Sequence, residues 1–328
     1  MRSIAANAIT LLILLGLAVA GLVTVGQHRI AGPGPLTVET RFVVPRGASL
    51  DRVAQALETE GVIGSAALFR IAARTSEDGR DIRFGEYAVP PGASIRDVLD
   101  LLRSGRVVQY PVTVPEGMTS WEIVELLKGV EVLEGDIATV PPEGTLAPDT
   151  YSVSRGDTRA ALIARMTALQ ARRLEEAWAQ RAPDIAVRTP QEALILASLI
   201  EKETAVPEER PLIGGVFNNR LKRNMRLQTD PTIIYGITRG QGPLDRPIRR
   251  SDIDRPTPWN TYTIDGLPPT PIANPGREAL LAATRPAETR ALYFVADGTG
   301  GHAFAETLAE HNRNVAAWRA IERQRANR

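Results

Sequence analysis

A chain of 328 residues, 43% hydrophobic and 23% charged, is long enough for about two domains with ordinary cores. Its 39 Lys+Arg against 38 Asp+Glu leave a net charge of +1, which gives no general attraction to nucleic acid. The absence of cysteine excludes disulfide scaffolds, thiol nucleophiles and cysteine-type zinc clusters, and the three histidines, His28, His302 and His311, offer no His-rich metal site. Any hydrolytic chemistry is therefore expected to rest on carboxylates, no metal or cofactor is expected, and with 5% aromatics any aromatic sugar platform is small.

From Ala8 to Val25 the only polar side chains are Thr10 and Thr24, and with Ile4, Ala5 and Ala6 the run spans about 30 Å of hydrocarbon. Arg2 and the amino terminus flank it on one side and Arg29 on the other, a weak positive-inside signal. Two readings compete. Residues 1–29 are a short stub and an uncleaved anchor, or a secretory signal ending near Ala18-Val-Ala-Gly21. The apolar run continues past that site, which favours the anchor. Both readings deliver the remaining chain to the external, periplasmic side of an inner (plasma) membrane, where ATP-dependent chemistry is out of place; no phosphate-cradling glycine loop is visible.

Residues 30–41, with Ala31-Gly-Pro-Gly-Pro35, read as a linker. A unit then recurs. Val44-Pro-Arg-Gly-Ala-Ser49 precedes a helical stretch from Leu50 to Leu57, Val89-Pro-Pro-Gly-Ala-Ser94 one from Ile95 to Leu102, and Val114-Pro-Glu-Gly-Met-Thr119 one from Ser120 to Leu127. Each is a strand end, a Pro/Gly turn, a hydroxyl N-cap and an amphipathic helix. Thr119 with Glu122 fits a capping box, Ser94 with Asp97 is a shorter-armed version, and Ser49 caps alone. Residues 42–110 thus read as a small α+β subdomain, either generic strand–turn–helix grammar or a module that holds glycans.

Residues 111–328 read as a larger mixed domain. Asp157 is the expected N-cap of a helix from Thr158 to about Ala179, and Thr189-Pro-Gln-Glu192 opens another with a closed box. Pro207 to Leu221 forms a third, Asn274 caps a helix that starts at Pro275, and a hairpin turns around Asp297-Gly-Thr-Gly-Gly301. A terminal helix carries Leu308, His311, Val315 and Trp318 on one face. Between Ile237 and Gly276 lie many prolines and no clear periodicity.

The unusual segment is Ala193-Leu-Ile-Leu-Ala-Ser-Leu-Ile-Glu-Lys-Glu-Thr204, apolar on every side of a helix and therefore central. Glu201 at its end is desolvated by the helix it follows and disfavoured as an anion by the macrodipole, so its pKa rises, as a general acid requires. Glu203, two residues on, points to another side. Local pairing of Glu201, Lys202 and Glu203 is the plain alternative. A second cluster runs from Asn218 to Thr232, where Asn219, Arg220, Gln228 and Asp230 have groups for sugar amides and hydroxyls, or in the case of Asp230 for capping a helix from Pro231. A third, Trp259 to Pro269, contains Asn260 and Tyr262 and suits a groove wall or a rigid loop. His302 is either an active-site histidine or a strand-end residue with a structural bond.

At these clusters the sequence resembles the endolytic murein transglycosylases of the MltG/YceG-like family. The resemblance rests on Ala197-Ser-Leu-Ile-Glu-Lys-Glu-Thr204, Phe217-Asn-Asn-Arg-Leu221, Met225-Arg-Leu-Gln-Thr-Asp-Pro-Thr232, Tyr235-Gly236, Asn260-Thr-Tyr262, Gly266-Leu-Pro-Pro269 and Gly300-Gly-His-Ala-Phe304. Ala147 stands where an aromatic is more usual. The resemblance implies an α+β fold: one transmembrane helix, a LysM-like α+β subdomain and a mixed α/β catalytic domain. It also implies lytic cleavage of the β-1,4 bond between N-acetylmuramic acid and N-acetylglucosamine in nascent strands. Glu201 would protonate the glycosidic oxygen and then take the proton of the muramic C6 hydroxyl as a 1,6-anhydro ring closes, with Glu203, Asn219, Arg220, Gln228, Asp230, Asn260 and Tyr262 in support. Glycan strands, peptidoglycan synthases and the inner membrane are the implied partners. A hydrolase of the same bond and a non-catalytic wall-binding scaffold are the rival readings.

Overall fold

In the computed structural model, which describes residues 2–75 and 81–326, the chain forms two compact units: Met1–Tyr110 with Val153–Gly156, and Pro111–Ser152 with Asp157–Arg328.

The first unit begins with α1 (Arg2–Ala31), whose segment Ile9–Ala31 has a mean hydropathy of 2.5 and is long and apolar enough to cross a membrane. Its last turn joins the unit, for Ile30 is buried in the core. The linker that follows is fastened down. The Gly34 N–H donates to the Gly92 carbonyl at 3.1 Å, and a Cβ at Gly34 would lie 2.0 Å from the Ala93 carbonyl oxygen, so only glycine permits the approach. Then come β1 (Thr40–Val44), α2 (Leu50–Thr59), α3 (Ala66–Thr75), β2 (Gly85–Val89) and α4 (Ile95–Ser104).

Strands β1 and β2 are antiparallel, from Thr40 opposite Val89 to Val44 opposite Gly85. Phe42 and Val44 point inward with period 2 and meet Val53 and Leu57 of α2, Phe69 of α3, and Val98 and Leu102 of α4. The caps are as the sequence indicates: Ser49 accepts the Arg52 N–H alone, while Ser94 and Asp97 reciprocate. One carboxylate is buried here, Glu86. Burial alone would raise its pKa, but Arg155 at 2.8 Å, Tyr110 at 2.9 Å and Arg41 at 3.1 Å together hold it below the usual range.

Strand β3 (Tyr110–Thr113) pairs with β4 (Thr150–Val153), and in the second unit α5 (Ser120–Lys128) starts at the Thr119–Glu122 capping box. The helix α6 (Arg159–Ala179) is capped by Thr158, which accepts the Ala161 N–H, and not by Asp157: the hydroxyl one residue later has the extended backbone a cap needs. Helix α7 (Pro190–Glu203) is the centre of this unit. Nine consecutive residues, Ala193 to Glu201, are buried against α6, α8 (Arg210–Lys222), α9 (Asp230–Thr238) and α11 (Arg277–Thr284). Thr189 caps it, but Glu192 reaches past the cap to the Arg188 N–H, so the box is not closed on Thr189.

The stretch from Pro207 is not one helix. A 3-10 turn, Pro207–Glu209, precedes α8, and a Cβ at Gly214 would lie 2.4 Å from the Ala282 carbonyl, which lets α8 seat closely on α11. In the proline-rich region the short α10 (Arg250–Ile253) appears. Helix α11 starts at Arg277 after Gly276, and Asn274 caps nothing. Its amide oxygen accepts the Leu146 N–H at 2.8 Å, and its NH2 group donates to the Met118 carbonyl and to Glu143. The hairpin β5 (Tyr293–Ala296) and β6 (His302–Ala305) pairs Tyr293 with Ala305 and Ala296 with His302, and α12 (Leu308–Ala326) follows.

Candidate active site

The final turn of α7 carries two carboxyls on different sides of the helix, because two residues advance the face by about 200°. Glu201 turns inward, with a side chain 4% exposed. One of its oxygens accepts from Arg210 at 3.1 Å, the other from the Gly276 N–H at 2.8 Å, and Arg210 also pairs with Glu116 at 3.1 Å. Burial raises the Glu201 pKa, while the Gly276 N–H and Arg210 pull it back; the net shift is upward.

Glu203 turns to a cavity of about 460 Å³ shared with Arg220, Gln228, Asp230, Tyr262 and His302. Among the described residues its hydrogen-bond partner is the Thr229 hydroxyl, which donates to it. Burial pushes its pKa up to about 7, and the nearby charge of Asp230 adds to this. Glu203 also borders a second cavity of about 330 Å³ lined by Glu116, Gly117, Lys202, Thr204 and Arg210, in which Glu201 takes part.

Of the residues singled out by the sequence, six meet in the larger cavity: Glu203, Arg220, Gln228, Asp230, Tyr262 and His302. Gln228 reaches it through a left-handed backbone conformation (φ 52°). The Tyr262 hydroxyl, kept protonated by burial, donates to Asp230 at 2.6 Å. Arg220 lines the cavity with part of its guanidinium engaged: Nε with the Leu292 carbonyl at 2.6 Å, and Nη1 with those of Leu227 at 2.8 Å and Arg226 at 3.1 Å.

Two others lie outside both cavities. The Asn219 amide donates to the Thr289 and Ala291 carbonyls. That of Asn260 donates to those of Asp252, Ile253 and Arg255, which ties α10 to the loop. Among the described residues no group of three His, Asp or Glu side chains is placed to hold a metal ion.

Several features of the site carry no sequence signal of their own: the lining residues Tyr293 and Phe294, the buried Thr229 behind Glu203, and the pairing of His302 with Glu209. Thr229 and His302 do lie inside segments that carry the family resemblance. The pairing is invisible in the sequence because 93 residues separate its members.

A family model described as the YceG-like family matches residues 42–317, most of the chain and both units. The chain belongs to the YceG-like family. It is 30% identical over 325 residues to the endolytic murein transglycosylase of Streptococcus pneumoniae, with 83% of this chain and 57% of that protein aligned. The chain therefore spans somewhat over half the length of that relative. It is also 30% identical over 301 residues to the endolytic murein transglycosylase of Bacillus subtilis, with 82% of each covered. A crystal structure of a YceG-like protein from Listeria monocytogenes aligns with a TM-score of 0.53 at 27% identity, covering 84% of this chain and 98% of that one. Within this YceG-like chain, the matched region includes both carboxyls of α7 and every residue of the larger cavity.

Proposed function

We propose that this YceG-like chain is an endolytic murein transglycosylase: it cleaves the β-1,4 bond between N-acetylmuramic acid and N-acetylglucosamine and leaves 1,6-anhydro ends, with Glu203 as the proton donor. The observation that carries the assignment to Glu203 is its place in the wall of the larger cavity with a pKa near 7. An acid must hold its proton near neutral pH and still be reachable. Glu201, to which the sequence alone gives the acid role, has both oxygens occupied by donors that favour its anion. Its role here is to fix the end of α7 and so aim Glu203.

In the reaction, protonated Glu203 donates to the glycosidic oxygen as the muramic C1 gains oxocarbenium character. The C6 hydroxyl of the same sugar then closes on C1 as its proton passes to a base in the cavity, and no water is consumed. Asp230 with Tyr262, and Gln228, supply polar groups for the sugar. Arg220 shapes the wall through its carbonyl bonds more than it binds. The β1–α2–α3–β2 order of the first unit supports a LysM-like, glycan-holding role for residues 42–110. The apolar helix α1 supports an inner-membrane anchor with both units outside, beside strands as synthases extend them.

The test is mass spectrometry of products from purified, uncrosslinked glycan strands, comparing the wild type with Glu203→Gln and Glu201→Gln. Ends lighter than hydrolytic ones by about 18 Da, one water, and lost in Glu203→Gln, are the expected result. Hydrated ends would make the protein a hydrolase with Asp230 as the candidate base for water. Ends lost in Glu201→Gln and kept in Glu203→Gln would return the acid role to Glu201.

A further inference from the structure

The cavity wall also holds a histidine with a fixed carboxylate partner. Glu209, in the 3-10 turn before α8, receives the His302 backbone N–H at 2.7 Å on one oxygen. On the other it receives the ring Nδ1 at 2.7 Å and the Thr204 hydroxyl at 3.1 Å. A carboxylate only accepts, so Nδ1 carries the hydrogen, and in the neutral ring the lone pair sits on Nε2. Burial would raise the Glu209 pKa, but the bonds from His302 and Thr204 hold it below the usual range, which keeps the acceptor ionised.

The ring is fixed from another direction by Phe294, edge-on with centroids 5.4 Å apart and planes at 89°. Gly301 makes the pairing possible: a Cβ there would lie 2.5 Å from the Glu209 carboxylate. His302 is 15% exposed and lines the same cavity as Glu203. The other cavity histidine, His311, lacks such a device. Its ring stacks on Tyr293 at 5.1 Å, and its Nδ1 is buried with no partner.

We propose that His302, oriented by Glu209, takes the proton of the attacking C6 hydroxyl, leaving Glu203 to serve the glycosidic oxygen alone. This rests on the lytic reading above. As the bond from the muramic C1 to the leaving O4 breaks, O4 receives the Glu203 proton. As the C6 oxygen bonds to C1, its proton passes to His302 Nε2. The imidazolium then returns a proton to the Glu203 carboxylate through water in the cavity, and both groups are restored with nothing else consumed.

The experiment uses the full chain in detergent on uncrosslinked strands, with kcat and KM measured separately for the wild type, His302→Ala, His302→Gln and Glu209→Gln. His302→Ala is expected to lose about 10² to 10⁴ in kcat with KM within a few-fold, and to regain part of the loss with added imidazole. Glu209→Gln, which keeps the ring but weakens its orientation, is expected to lose about tenfold to a hundredfold. A kcat for His302→Ala within about threefold of wild type, a loss confined to KM, or a loss that imidazole does not relieve would overturn the proposal. His302→Gln guards against misfolding, since it keeps a polar side chain in the same place and is checked by its thermal unfolding. Failure of the lytic reading is read separately, from hydrated ends in the wild type or from activity retained in Glu203→Gln.

Discussion

The two sides of the α7 C-terminal turn are built from the same residue type two positions apart, yet one is closed and the other open. On the closed side Glu201 is matched by Arg210 and the Gly276 N–H, and Arg210 is shared with Glu116. On the open side Glu203 has the Thr229 hydroxyl and otherwise faces the cavity. Glu86 of the first unit repeats the closed pattern more strongly, with three donors that overcome burial and lower its pKa. Burial by itself therefore does not mark a proton donor. What sets apart Glu203, the proposed donor, is that burial raises its pKa to about 7 with a single hydroxyl donor against it, at the wall of the larger cavity.

The widest test of this contrast is exchange of each carboxyl for its amide. Glu203→Gln is expected to lower kcat by about 10³-fold or more, whereas Glu201→Gln keeps most of its hydrogen-bonding shape and is expected to lose about tenfold. Equal losses in both variants, measured as anhydro-end release, would mean that the two sides act as one unit.

The closed side is probed next by removing its cation. Arg210→Met leaves Glu201 and Glu116 facing each other without a counter-charge, and a destabilisation of about 3 kcal/mol is expected in urea unfolding. Adding Glu201→Leu to that variant is expected to recover a large part, since it removes the charge left unpaired. No recovery would show that the loss lies in packing around the guanidinium.

Much of this architecture is legible in the sequence where the partners are local. Ser49, Ser94 with Asp97, and Thr119 with Glu122 satisfy helix ends within a few residues, so the caps of α2, α4 and α5 can be read directly. The apolar, all-round pattern of α7 likewise announces a central helix. Side chains whose partners are distant are not legible in this way. Asn274 resembles a cap from its neighbours, but its bonds go to Leu146, Met118 and Glu143. Asn219, Arg220 and Asn260, offered by the sequence as sugar ligands, also hold backbone carbonyls far along the chain or in the adjacent α10, partners that local spacing does not show. Spacing shows that Glu201 and Glu203 face apart, while which of them meets the cavity depends on Arg210 and Gly276, one folded back from the next helix and one from a distant loop.

Arg220 offers a smaller effect that separates scaffold from ligand. Its three carbonyl bonds come from a guanidinium held over the Tyr293 ring at 5.2 Å. Arg220→Lys keeps the charge and loses the fork, so a destabilisation of about 2 kcal/mol is expected. If stability is unchanged and KM alone rises, the guanidinium acts on substrate and the scaffold role is wrong.

The smallest expected effect concerns Glu203 and its cost to the fold. Its pKa moves from 4.5 in the open chain to about 7 in the folded protein. The folded state thus binds the proton more tightly, and the contribution of this group to stability is fully present below pH 4.5 and is lost as pH rises through 7. Glu203→Gln removes that loss. The variant should melt close to the wild type at pH 5 and above it at pH 8, by about 1 kcal/mol once the exposed part of the side chain is discounted. The sign is the informative part. A site kept for catalysis is held against the preference of its own carboxyl for water, so its removal stabilises where the anion prevails. Glu201→Gln should show a smaller gain, because the Arg210 pair lost with it opposes part of the relief from burial while the net pKa shift stays upward. A gain at pH 8 in Glu201→Gln and none in Glu203→Gln would reverse the assignment of the two sides.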